Sequence, residues 1–155
     1  MATVSEVAQS PGGRYNNMVV NGLFQPRRLS HALITADITL EENDSGKIYF
    51  VGSNGVDITL PATPKFGLNY TFIADADYST AVNKITVNGL GEFFIGSIVS
   101  ADGGAGVTFN GSSHDVVQWD AAYVEGDMVC VVSNGTQWFV SGHMSVTNSF
   151  SGVTS

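Results

Sequence analysis

Short strand-like runs recur about every ten residues from Ile38 onward, and no window of ten or more residues has helical spacing. This recurrence constrains the fold most, because strands so short bury enough apolar surface only when several share one core. The runs are 48–51, 56–60, 69–74, 84–88, 93–99, 106–109, 116–119, 128–132 and 137–140. Residues 69–74 alternate apolar and polar side chains, the period of a half-buried strand. Asn-Gly pairs fall at 21, 54, 88, 110 and 134, between or beside runs. Asn-Gly tolerates the positive φ of a tight turn, so 128–132 and 137–140 around Asn134-Gly135 predict a hairpin. Together these signals predict an all-β sandwich or small barrel over 37–155. The Ser/Thr-rich stretch 145–155 fits an edge or a tail.

Residues 1–36 differ in kind. Ser10-Pro11-Gly12-Gly13, Asn21-Gly22 and Gln25-Pro26 interrupt the chain, and its apolar residues follow no sustained period. A short helix around 29–33 is the one regular element expected there. Charge divides at the same boundary. Arg14, Arg27 and Arg28 stand against Glu6 in the first 36 residues, a net of +2. Lys47, Lys65 and Lys84 stand against thirteen acids in the remainder, a net of −10 within an overall −8. The expected organisation is an extended basic arm on an acidic body.

Composition excludes several classes of function. The body has no Lys/Arg cluster to neutralise phosphates, so nucleic acid is not an expected partner. No apolar run approaches the roughly 20 residues of a membrane-spanning helix. One cysteine, Cys130, precludes an intrachain disulfide framework. The first residues lack the basic-then-apolar order of a secretory signal, so synthesis in a reducing host cytoplasm is expected.

Motifs for chemistry are sparse. Ser112-Ser113-His114-Asp115 holds the residue types of a hydrolytic triad, but neighbours on a strand point to opposite faces, which favours a polar turn. Asp75-Ala76-Asp77-Tyr78-Ser79 opens like a calcium loop yet lacks Gly at its sixth position and an acid at its twelfth. A looser cation site would need Glu92 or Asp102. His31, His114 and His143 have no paired metal spacing. The sequons at Asn43, Asn110 and Asn134 read as turns. No enzyme, metal or cofactor is expected. Trp119, Trp138 and Tyr123 are candidates for a sugar-stacking platform, with most other aromatics in the core. Phe93-Phe94 is a candidate subunit contact, since neighbouring strand positions face opposite ways.

The span from about 35 to 142 resembles a β module common in tailed bacteriophages. The resemblance rests on Glu42-Asn-Asp-Ser-Gly-Lys-Ile-Tyr-Phe50, Ile58-Thr-Leu-Pro61 and Gly67-Leu-Asn-Tyr-Thr-Phe72. It extends through Gly126-Asp-Met-Val-Cys-Val-Val132 into Gln137-Trp-Phe-Val-Ser-Gly142. Such modules resemble head decoration (cement) proteins and also tail-fibre or spike domains. The resemblance implies a homotrimeric, antiparallel, jelly-roll-like β-sandwich on the outer surface of the virion capsid, with the major capsid protein as partner. The arm has no counterpart in the shared pattern. Its physical character suggests that Arg14, Arg27 and Arg28 pair with capsid carboxylates while Tyr15, Leu23 and Phe24 fill apolar grooves. The alternative expectation is a fibre or spike module that binds host-surface glycans.

Overall fold

The computed structural model describes residues 19–20, 23–24 and 31–154, except 78–80, 90, 121–122 and 148. A two-stranded antiparallel ribbon, β1 (Val19–Val20) with β2 (Leu23–Phe24), precedes the body. The body is all-β, with two sheets packed over one core. Its strands are β3 (His31–Ile34), β4 (Ile38–Thr39), β5 (Ile48–Val51), β6 (Asp57–Thr59), β7 (Asn69–Ala74) and β8 (Asn83–Thr86). They continue with β9 (Phe94–Ser100), β10 (Val107–Asn110), β11 (Val116–Trp119), β12 (Met128–Ser133), β13 (Trp138–Met144) and β14 (Phe150–Val153). The large sheet has the order β10-β9-β13-β12-β7-β5-β3, and the small sheet β14-β11-β8-β6-β4.

From β3 to β8 the chain alternates between sheets at every strand, so it winds as a coil around the core. Equivalent strands of successive turns run the same way. β3, β5 and β7 are therefore mutually parallel in one sheet, and β4, β6 and β8 in the other. Beyond β8 the pairings become mainly antiparallel, apart from β13 with β9. The two-sheet all-β expectation stands, but the expected antiparallel, jelly-roll-like pairing is corrected to a mixed order. The physical reason lies at the corners. Asn54-Gly55, Asn88-Gly89 and Asn110-Gly111 all sit where the chain passes from one sheet to the other, while Asn134-Gly135 closes the β12–β13 hairpin. One turn dipeptide supports both outcomes, since it permits a change of direction without choosing the next strand's partner.

The stretch 31–36, expected to end the arm, begins the body instead. His31–Ile34 is a strand, not part of a short helix, and forms the edge of the large sheet beside β5. Ile34 is buried in the core. The C-terminal stretch supplies β14, the edge of the small sheet.

The core is aromatic and joins the sheets. Phe72 stacks on Tyr49 at 5.6 Å and meets Trp119 of the opposite sheet edge-on at 6.5 Å. Tyr70 packs against Trp138 at 6.1 Å, and Phe94 against Phe109 at 6.1 Å. Two buried polar side chains, Asn83 and Asp127, are satisfied by hydrogen bonds, as low-dielectric surroundings favour. Asn83 accepts from Val56 N (2.8 Å) and donates to the Tyr123 hydroxyl (2.7 Å), bracing a corner of the coil. Asp127 accepts from Val124 N (3.1 Å) and Ser145 N (2.7 Å) at the entry to β12.

The Glu-Asn-Asp-Ser-Gly-Lys motif proves to be such a corner. Residues Glu42–Asp44 form a 3-10 turn in which Asp44 accepts from Glu41 N (2.9 Å) and pairs with Lys47 at 2.5 Å. Lys47 holds the Asp44 carboxyl below its usual pKa, chiefly through that hydrogen bond. Ser45 Oγ accepts from Asn69 N (3.0 Å) and Gly46 N donates to Asn69 O (2.8 Å), locking this corner to the next turn of the coil.

Candidate functional site

The sequence motifs for catalysis resolve into local scaffolding. Asn110 Oδ1 accepts from Ser112 N, Ser112 Oγ and Ser113 Oγ at 3.0–3.1 Å, so both serines serve the β10–β11 turn. His114 lies edge-on to Phe109 at 5.7 Å. Asp77 accepts from Glu125 N (2.7 Å), whereas Asp102 belongs to a different loop. Among the described residues, no three His, Cys, Asp or Glu side chains converge to hold a metal. Trp119, Trp138 and Tyr123 are all buried, which corrects their candidacy as a sugar-stacking platform. Their bulk was needed to fill the space between the sheets. Phe94 is fully buried and packs against Phe109 of the neighbouring strand, so its side chain lies in the chain's own core rather than against a subunit, while Phe93 stays half-buried.

Several titratable groups are perturbed by structure rather than by reactive neighbours. Burial first, and then the Asp44 charge, push the Tyr49 and Tyr70 phenols up to about 12. Burial raises the Glu92 carboxyl, opposed in part by a hydrogen bond from the Trp138 side chain. Glu92 shares a groove of about 320 Å³ with Asn88, Phe93 and Asp115. A second groove of about 460 Å³ is lined by Glu41, Glu42, Asn43, Pro61 and again Asn88. Asp102 is the centre of a clasp between two loops. It accepts from Ser100 Oγ, Gly104 N (3.0 Å), Thr147 N (2.7 Å) and Thr147 Oγ1 (2.7 Å). These donors favour the ionised form and hold its pKa well below the ordinary value of 3.8.

The unusual surface is the outer face of the large sheet. Its seven strands contain no Asp, Glu, Lys or Arg. Cross-strand partners project to the same side, so register assigns the outward rows directly. One row runs Leu33, Phe50, Ile73, Met128, His143, Val99 across six strands. The next runs His31, Ile48, Thr71, Cys130, Ser141, Ser97, Thr108. A third holds Asn69, Val132, Phe139, Ile95 and Asn110. Val99 and Leu33 are 58% and 60% exposed, so the first row ends in open apolar side chains on both flanks. Thr71 Oγ1 and Cys130 Sγ lie 3.6 Å apart in the middle row.

The outer face of the small sheet is the opposite. Asp57, Lys84, Gln118 and Ser151 line one row, and Thr59, Thr86, Val116 and Val153 form the next. Of the three lysines, Lys47 and Lys65 are paired with Asp44 and Glu42, at 2.5 and 2.6 Å.

Sequence reasoning missed the charge-free face, although its signal was present. Runs such as 128–132 and 93–99 are apolar at consecutive positions, and one of the two sides must then face outward. Of the expected arm contacts, Leu23 and Phe24 form β2; Arg14, Tyr15, Arg27 and Arg28 lie outside the described residues. Neither the family models nor the curated proteins compared with this chain give a match.

Proposed function

We propose that the chain is a non-catalytic structural component of a bacteriophage virion: a head decoration protein that binds the outer surface of the capsid and reinforces the lattice of the major capsid protein. The observation that carries this reading is the contrast between an uncharged, largely apolar outer face and a polar one on the same small sandwich. Such a face suits assembly better than turnover, since apolar surface contiguous across six strands is a feature of interfaces. The basic stretch ahead of β3 supplies the anchor. Arg14, Arg27 and Arg28 meet capsid carboxylates, and Tyr15, Leu23 and Phe24 bury apolar surface between capsid subunits. A segment that orders on binding needs contacts over a wide area to offset its lost entropy. If the mature lattice alone presents all the contact sites, binding stabilises that state by mass action.

Deleting residues 1–28 tests the anchor, because β3 begins at His31 and the body keeps all its strands. The expected result is a folded body that no longer decorates capsids. Full occupancy by the truncated protein would refute the anchor. Replacing Arg27 and Arg28 with Ala should weaken binding and flatten its salt dependence.

A further inference from the structure

We infer that the outer face of the large sheet is covered by a second copy of this chain. The three outward rows span the sheet from Leu33 at one edge to Thr108 at the other. With strands about 4.8 Å apart and alternate residues about 6.8 Å apart, the face measures on the order of 30 by 20 Å. That is about 600 Å² per copy and about 1,200 Å² across two, the lower end of the range for specific, stable interfaces.

Sheets with one solvated face ordinarily place polar side chains outward, in alternation with the buried ones. Here Leu33, Phe50, Ile73, Met128 and Val99 occupy outward positions of a single row, with Val132, Phe139 and Ile95 in another. Water is a poor environment for a patch of this extent.

Charge selects the occupant. The chain carries −8 overall, and its acids lie outside the seven strands. Two copies that meet through this face bring no acids into contact. A different partner of an acidic protein would be steered by complementary charge, and the face offers none for steering. A surface without Asp, Glu, Lys or Arg, carrying His31, His143, Ser, Thr and Cys among apolar side chains, is compatible with itself, as contact between identical patches requires.

The inference rests on the reading of the chain as an assembly protein only for its biological use. It is tested on purified full-length protein with no capsid present, so failure of either leaves the other standing. Sedimentation should give a mass at least twice 16.3 kDa at micromolar concentration. Ser141, exposed in the middle row, should tolerate Ser141→Glu or Ser141→Lys without unfolding, checked by circular dichroism. Each variant alone should run at the monomer mass, and an equimolar mixture of the two should regain the wild-type mass. Maleimide labelling of Cys130 should slow at least several-fold on going from dilute to concentrated wild-type protein. A wild-type protein still monomeric at about 100 µM, roughly a hundredfold above a micromolar Kd, or variants that keep the wild-type mass, would overturn the inference.

Discussion

The two outer faces of this sandwich cover the same core but obey different rules. On the small sheet, Asp57, Lys84, Gln118 and Ser151 alternate with buried Ile58, Ile85, Val117 and Trp119, the pattern of a surface meant for water. On the large sheet, Tyr70, Phe72, Val129, Val131 and Val140 fill the inside, yet the positions between them include Ile73, Val132 and Phe139. Stability of the sandwich explains the inward residues of both sheets and says nothing of that second apolar side. The difference teaches that apolar content beyond what a core can hold points to assembly.

Substitutions can break or sharpen this contrast. The largest effect should come from beneath both faces. Phe72 touches Tyr49 within its sheet and Trp119 across the core, so Phe72→Ala should destabilise the fold by about 3–5 kcal/mol, read by denaturant unfolding. An unchanged midpoint would mean that the sheets do not share this core. Next is Gly96, with φ of 140°, where an added Cβ would lie 1.8 Å from Val140 O. Gly96→Ala forces β9 away from β13 in the large sheet only, and should lose about 2–4 kcal/mol in the same assay. The direct comparison places one charge on each outer face. Thr59→Lys and Ser141→Lys should each change monomer stability by only about 0.5 kcal/mol. Only Ser141→Lys should alter the mass in solution. Equal effects of the two on mass would erase the distinction between the faces.

The smallest effect concerns acid. Donors from Ser100, Gly104 and Thr147 lower the Asp102 pKa in the folded state, so its contribution is present above the unfolded value of 3.8 and is lost as pH falls below it. Asp102→Asn should therefore lower stability slightly at neutral pH, where the ionised form makes its contribution, and flatten the fall in melting temperature below about pH 4. A variant that tracks the wild type through that range would show that the clasp between the two loops contributes nothing. Asp44, lowered mainly by Lys47, acts with the same sign.

Much of this fold is legible along the chain. The runs at 48–51, 69–74, 116–119 and 128–132 are strands at those positions, because alternation and β-branched content act over a few neighbouring residues. The Asn134-Gly135 hairpin follows from local turn chemistry for the same reason. Three other Asn-Gly pairs carried the same local signal and lead instead between sheets. Partner choice is a contact between residues far apart in sequence, so nothing near Asn54 reveals that β5 will lie parallel to β7. The candidate interface is divided likewise. Its residues are plain in the sequence, but a run apolar at consecutive positions does not declare which side turns inward. Sequence alone determined where the chain extends and where it bends, through forces that act between neighbours. Only the tertiary structure decided which strands pair, that the pairing winds as a parallel coil before turning antiparallel, and that Leu33, Phe50, Ile73, Met128 and Val99 align on one uncharged face. Those outcomes depend on burial against residues dozens of positions away.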